Sequence, residues 1–545
     1  MPEVSRYHGA VPRSRRRWPA SRPGEESEGT MARGGARAAA EGQAAGGRAA
    51  NGRAAGGRGG SGVGGPGGSG TGDAGGSRGS GADGSGEGAG HGGLRRGLKN
   101  RHIQMIALGG AIGTGLFYGS ADAISLAGPS VLLAYALGGA VIFLVVRAMG
   151  EMSVHTPSSG AFSRYAYDYW SPCAGFVSGW NYWFNYTVVS MAELTVIGTY
   201  VRYWLPGMPD WLTAAIVLVS ITAVNLVGVR SFGEFEFWFA LVKVVAIVGM
   251  IVLGAVVIGL AVNSGSSLPD PSFAHLVDRG GFFPNGLSGM SASLVVVMFS
   301  FGGVELIGIT AGEADDPKRS IPRAVNQVVY RILVFYIGAL LIIMAVVPWD
   351  RINGKLSPFV QIFDSVGVTA AAHILNAVVV TAALSVYNSG LYSNGRMLHS
   401  LAEQGNAPRF LAKLSPRGVP VRGVLVSSAI TAAAVVLKIA LPDKAFSILL
   451  STALAAGIIN WTMIMVTQIR FRAKIGAEEA SRLTFRLPGG KAASFSALAF
   501  LALVVVLMAA SPDYRPSVIA APVWIVALLV GYAAKRFAAR RRRRV

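Results

Sequence analysis

From Leu94 onward, long apolar runs alternate with short polar connectors. The runs lie near 103–126, 128–148, 174–202, 211–230, 236–262, 288–312, 326–348, 368–392, 423–440, 445–469, 493–511 and 517–534. Each is long enough to cross a bilayer as a helix, so the pattern predicts twelve spans in an all-α membrane domain. Two of the runs are poor helices. In the first, Leu108-Gly109-Gly110-Ala111-Ile112-Gly113-Thr114-Gly115-Leu116-Phe117 puts four glycines in seven residues, and each glycine costs on the order of 1 kcal/mol against alanine. In the sixth, Met298-Phe299-Ser300-Phe301-Gly302-Gly303-Val304-Glu305 again sets glycines beside a polar residue. A helix broken inside lipid leaves backbone groups without partners, which is tolerated only in a protein interior or along a cavity. The glycines alone would equally allow close helix packing. The offset of five spans favours a cavity, because paired interruptions in two halves mark the site of an inverted repeat. Free N–H groups at one break and unwound carbonyls at the other suit the two charges of a zwitterion.

Three ionisable residues fall well inside spans: Glu193 in the third, Lys243 in the fifth and Glu305 in the sixth. Each costs roughly 2.5 kcal/mol or more at the bilayer centre, which makes it a candidate for function. A protonated carboxyl bonded to a neighbouring helix is the plainer reading of both glutamates. Desolvation disfavours the charged form of a buried amine, so Lys243 is a candidate to load and release a proton. A permanent ion pair with Glu234 or Glu236 is the alternative, but helix rise separates those acids from Lys243 by about 10–14 Å. The aromatic run Trp180–Tyr186 reads as an interface anchor, and Asn181 and Asn185 as helix–helix hydrogen bonders. Ser385, Tyr387, Asn388, Ser389, Asn460 and Trp461 are read as facing a cavity or bonding between helices. His275 and His373 are isolated and are not read as metal ligands.

Composition changes the picture at the ends of the chain. The whole is 52% hydrophobic and 14% charged, with mean hydropathy +0.46 and net charge +21. That charge could suggest nucleic acid, but the cations flank apolar runs. With both ends inside, the inner segments hold 29 Lys and Arg and the outer ones 7, as the positive-inside rule requires of a multi-pass protein with both termini cytoplasmic. Residues 1–94 are rich in Gly, Ala, Ser and Arg and predict a disordered tail. They hold no apolar segment of the kind a cleavable signal peptide carries, and Met31 is an alternative start. The domain is expected over 95–538, with a basic cytoplasmic tail at 539–545. The single cysteine, Cys173, excludes a disulfide framework and a cysteine zinc cluster. The glycine-rich stretch lacks the Lys-Ser/Thr of a phosphate loop and any strand before it. No cofactor motif is present, and no nucleophile, base and orienting group recur together as an enzyme would need.

Residues 94–538 resemble the amino acid permeases of the amino acid–polyamine–organocation superfamily. The resemblance rests on Gly109–Phe117, Gly150-Glu151-Met152 through Gly160, Gly233–Lys243 and Phe299–Glu305, and further on Ala311–Arg323 and Asn388–Pro408. It implies twelve transmembrane helices in a LeuT-like five-plus-five inverted repeat, discontinuous at helices 1 and 6. It also implies that Thr114 and Gly115 hold a substrate carboxylate through their N–H groups. The carbonyls of Ala111, Phe299 and Gly302 would hold the ammonium, with Ser300 and Glu305 beside them. Lys243 then occupies the place of a sodium ion in sodium-coupled relatives, and Lys243 with Glu193 would couple transport to protons. Met191–Thr195 and Asn326–Arg331 look like aromatic amino acid permeases. Leu116–Asp122 and Leu487–Gly490 look like proline and histidine permeases, so the resemblance leaves the substrate open. Amino acid/H⁺ symport across the cell membrane is the expected activity. An exchanger, or a receptor on a permease fold, is the alternative; a receptor would usually carry a folded cytoplasmic extension.

Overall fold

The computed structural model describes residues 99–542 apart from 110–111, 159, 265–270, 315, 353–356, 361–368 and 442–443. The expected tail at 1–94, the residues 543–545 and the site residue Ala111 lie outside the described residues. The helices, in chain order, are α1 (Asn100–Gly109), α2 (Thr114–Phe117), α3 (Gly119–Ala127), α4 (Val131–His155), α5 (Ala161–Tyr169) and α6 (Pro172–Val201). Then come α7 (Asp210–Val227), α8 (Val229–Ser264), α9 (Gly286–Phe299), α10 (Leu306–Thr310), α11 (Pro317–Arg331) and α12 (Ala339–Val346). The last are α13 (Thr369–Glu403), α14 (Val421–Thr431), α15 (Ala433–Ala440), α16 (Ala445–Arg482), α17 (Gly490–Ala510) and α18 (Arg515–Arg542). A π segment, Ile332–Gly338, joins α11 to α12.

Among the described residues, nine helical stretches are long and apolar enough to cross a membrane. The first, third and sixth predicted spans do not qualify, for two different reasons. The first is cut into α1, α2 and α3, and the sixth into α9 and α10, because their glycine-rich centres do not stay helical. The third, α6, is unbroken over 30 residues, or about 45 Å, but its Asn, Ser, Thr and Glu residues dilute its hydropathy. Polar side chains are tolerable there because α6 runs through the middle of the bundle, packed by α5, α7, α13 and α16. At the far end of the chain α18 continues to Arg542, so Arg540 and Arg541, expected in a tail, are helical.

Helix α8 shows how sequence sets orientation. Glu236, Ala240, Lys243, Ile247, Met250 and Ile258 are buried in a stripe at spacings of three, four and eight, the period of a single helix face. Val242, Val245, Val252, Val256 and Leu260 on other faces are exposed. Helix α1 packs along α8, and α13 lies beside it.

One end of the bundle is held by a strap between α16 and α17. Glu151 of α4, 1% exposed, accepts from Arg472 Nε and Nη2 at 2.7 Å each and from the Leu487 N–H. Arg147 donates to the Arg486 carbonyl at 2.7 Å and lies 3.5 Å above the Phe485 ring. Phe485 and Leu487 are buried as a result.

Candidate functional site at two helix breaks

The two glycine-rich interruptions meet. At the first, Gly113 is extended, with φ −127° and ψ −161°, and precedes the first turn of α2. The N–H groups of Leu116 and Phe117 return to the Gly113 carbonyl at 3.2 and 3.3 Å. Those of Thr114 and Gly115 open the turn, where a helix has no acceptor of its own to offer. At the second, the chain leaves α9 after Phe299 and re-enters helix at Leu306. Gly303 turns the corner at φ +96°, a conformation that glycine adopts without steric cost.

Ser300 joins the breaks. Its hydroxyl donates to the Gly115 carbonyl at 2.7 Å and lies 3.2 Å from the Tyr135 hydroxyl of α4. Tyr336, carried on the π segment, donates to the Ser300 carbonyl at 2.8 Å. The contact is so close that a β-carbon on Gly115 would stand 2.8 Å from Ser300 Cα.

Beside this junction lies a narrow cavity, lined by Gly115, Tyr186, Glu193, Phe299, Glu305 and Trp461 among others. Ser300, Gly302 and Gly303 also face it. Six of the residues expected from sequence therefore share one wall: Gly115, Glu193, Phe299, Ser300, Gly302 and Glu305. Thr114 stands behind them and donates from its hydroxyl to Glu193 Oε1 at 2.9 Å. The other carboxylate oxygen of Glu193 is buried with no hydrogen-bond partner among the described residues. Glu305 accepts from the Trp461 indole at 3.4 Å.

Lys243 does not line the cavity. It is fully buried beside it, donating to the carbonyl of Ile112, in the first break, at 3.1 Å and to Ser385 Oγ at 2.8 Å. Ser385 in turn donates to Glu236 Oε1 at 2.5 Å, and Asn388 to Glu236 Oε2 at 3.4 Å. Asn225 of α7 donates to Asn388 at 2.9 Å. The axial distance along α8 does keep Glu236 from touching Lys243, as the sequence suggests. It does not keep them apart chemically, because a serine of α13 bridges them.

The aromatic run is the clearest departure from expectation. Tyr182 and Tyr186 are buried at 0% and 2% exposure, and Tyr186 faces the cavity. The reason is where α6 begins. With Pro172 as the first helical residue, Tyr182 and Tyr186 lie about 15–21 Å along the axis, and Tyr186 reaches the breaks, while Trp180 donates to the Asn406 carbonyl of the loop after α13. Asn181 and Asn185 bond to α16 as expected: Asn181 donates to Asn460 at 2.7 Å and Asn185 to the Ala453 carbonyl at 2.6 Å. His373 accepts from Trp204 at 3.0 Å on an exposed surface. Tyr135, Tyr336, Val386 and Gly457 were not anticipated; each is an ordinary core residue by sequence and gains its place only from packing.

A helical membrane bundle with a cavity at two helix breaks, walled by backbone donors and buried carboxylates, has the form of a carrier of small polar solutes. The family described as amino acid permease matches residues 102–544, and the chain belongs to that family. It is therefore a membrane transporter of amino acids and not an enzyme. It is 49% identical over 449 residues to the aromatic amino acid transport protein AroP of Escherichia coli K12, covering 82% of this chain and 97% of the relative. The AroP protein of Salmonella typhimurium LT2 is 48% identical over 444 residues, covering 81% and 96%. The amino acid permease YtnA of Bacillus subtilis, uncharacterized, is 47% identical over 444 residues, covering 82% and 96%.

Proposed function

We propose that the chain imports an aromatic amino acid across the cytoplasmic membrane by alternating access, in symport with a proton. The observation that carries this reading is the cavity between the two breaks. The substrate carboxylate meets the N–H groups of Thr114 and Gly115 at the start of α2. Its ammonium meets the carbonyls of Phe299 and Gly302 and the carboxylate of Glu305; the Ala111 carbonyl has the same role. The remaining wall is apolar and aromatic, with Tyr186, Phe299, Leu454 and Trp461, which suits a ring that buries a large area. The names of the AroP relatives support the same class of substrate. The breaks are read as equivalent positions of a five-plus-five inverted repeat within twelve crossings, with both termini inside. The excess of cations on one set of connectors supports that orientation.

Lys243 supports a proton rather than a sodium ion. It holds the Ile112 carbonyl with an ammonium, and a fixed positive charge there repels a cation. Glu193, with one oxygen on Thr114 and the other without a partner among the described residues, is the second titrating candidate. The test is uptake of labelled amino acids into proteoliposomes of purified protein. Phenylalanine, tyrosine and tryptophan should accumulate on an inward proton gradient at zero sodium, and a protonophore should abolish this. Lys243→Ala should lose accumulation while exchange of substrate persists. Accumulation on a sodium gradient alone, or selection of proline or histidine over the aromatic residues, would overturn the reading.

A further inference from the structure

The polar chain behind the cavity has a direction. Lys243 touches the first break through Ile112, and Ser385 carries the chain 2.8 Å and then 2.5 Å onward to Glu236. Glu236 sits seven residues earlier on the same buried face of α8, about two turns nearer the α1 end of the bundle. Two residues beyond it stands Glu234, at 35% side-chain exposure and bonded to Arg101 of α1 at 2.5 Å. His102, also of α1, lies 3.2 Å from the same oxygen. Helix α1, packed along α8, is thus fastened to it by charges at this end, two residues from Glu236.

We propose that Glu236 is the relay through which the coupled proton passes from Lys243 to the cytoplasm, with Ser385 as the bridge. This rests on the proton-coupled reading above and names the exit route that reading lacks. The transfer is a double proton shift. The Lys243 ammonium gives one proton to Ser385 Oγ while the Ser385 hydroxyl proton passes to the Glu236 carboxylate. The products are a neutral amine, an unchanged hydroxyl and a neutral carboxylic acid, and no other bond forms or breaks. An ion pair becomes a neutral pair, so no net charge has to leave the low-dielectric interior at that step. When α1 lifts, the Glu236 carboxyl loses its proton to water on that side. The groups facing the relay are Glu234 on α8, Arg101 and His102 on α1, Asn388 on α13 and, through it, Asn225 on α7. Glu193 and Arg331 act on the Lys243 end at longer range.

A permanent counter-ion for Lys243 would use the same residues, and transport separates the two roles. Full-length protein in proteoliposomes is loaded with a fluorescent pH indicator and followed with labelled phenylalanine. Two activities are read: counterflow exchange, which needs no net proton movement, and accumulation on a proton gradient. Glu236→Gln keeps the size of the side chain, and Ser385→Ala removes only the hydroxyl. Each should hold counterflow within about threefold of wild type and lower proton-driven accumulation and lumen acidification at least about tenfold, well inside the roughly 10²–10⁴-fold that a positioned proton-transfer group contributes. Ser385→Thr, which keeps a hydroxyl, should recover both. If Glu236→Gln does not give a monodisperse protein, the Ser385→Ala and Ser385→Thr pair decides. Wild-type accumulation in Glu236→Gln or Ser385→Ala overturns the relay. So does an equal fall of counterflow and accumulation, the mark of a counter-ion only. Wild-type protein that concentrates phenylalanine with no acidification of the lumen overturns the proton-coupled reading itself, and the relay with it.

Discussion

Gly115 sits where the two breaks come closest, and adding one methyl group there measures how much that closeness matters. The new β-carbon would stand 2.8 Å from Ser300 Cα, 3.2 Å from Ser300 N and 3.1 Å from Phe299 Cδ1. Two of the three are backbone and cannot rotate aside. Carbon atoms rest at about 3.5–4.0 Å, so Gly115→Ala must move the breaks apart by roughly 0.7–1.2 Å. Overpacking of this size costs about 1–3 kcal/mol. The Ser300 hydroxyl bond to the Gly115 carbonyl, 2.7 Å long, crosses the same contact and stretches with it. If the cost falls on the substrate-bound state, affinity drops about 5- to 150-fold. If it falls on bound and free states alike, affinity holds and the melting temperature drops. Binding by scintillation proximity and melting by fluorescence-detected gel filtration therefore bracket the effect. Gly457→Ala is the control: it also faces the cavity, but its β-carbon would meet only Asn185 Nδ2, at an ordinary 3.8 Å. Gly115→Val should abolish binding while insertion survives, since the larger side chain adds two more methyl groups to the same contact. A Gly115→Ala protein that binds and melts like wild type would falsify the claim that the breaks form one junction.

Ser300→Ala should raise KM for uptake with little change in expression, because it leaves the Gly115 carbonyl buried and unpaired at about 1–3 kcal/mol; an unchanged KM would mean the bond is incidental. Glu305→Gln should insert normally yet transport slowly, and equal uptake at every pH would reduce Glu305 to a hydrogen bonder of Trp461. Glu151→Gln should lower the melting temperature sharply, since removing one partner of a buried pair costs about 3 kcal/mol or more, and an unchanged melt would show that the strap is not held by this pair. His102 is pushed below its ordinary value of 6.5 by burial, against the opposing pull of Glu234. A conformation that exposes His102 therefore binds a proton more readily than this one, so the packed arrangement of α1 is at full strength above about pH 6.5 and weakens as the pH on its side falls below it. In a Cys173→Ser background, labelling of a cysteine placed at Asn100 should speed up in that window and should not do so when His102→Gln is added; identical pH profiles would contradict the sign.

The apolar runs and the two glycine clusters were legible because they are local. Length, hydropathy and missing helix propensity are properties of a dozen neighbouring residues, and they located α4, α7 and the breaks in α1–α3 and α9–α10 without any tertiary information. The cavity wall was legible in part for the same reason: Glu193 and Glu305 are anomalous in lipid wherever their helices turn. What sequence could not supply is which helices touch. Ser385 bridges Lys243 to Glu236 only because α13 packs on α8, and an axial distance within one helix says nothing about a third group. Tyr186 has the composition of an interface residue, and only the start of α6 at Pro172 carries it into the interior. Tyr336 reaches Ser300 from a π segment, which no periodicity of 3.6 would anticipate.

The buried stripe on α8 also limits how the helix can move. Glu236 and Lys243 share a face with Ile247 and Met250, while valines cover the opposite side. Rolling α8 by half a turn would put the Lys243 ammonium among lipid chains at roughly 2.5–3.5 kcal/mol by insertion scales, and would drive the valines into a space shaped for other side chains. Rotation about the long axis is thus keyed, as a shaft is keyed in its hub. Tilting, and sliding along the axis by a fraction of a turn, leave every charged group facing inward. Whatever stroke α1 makes against α8, the only partner motions α8 can return are a lean and a glide.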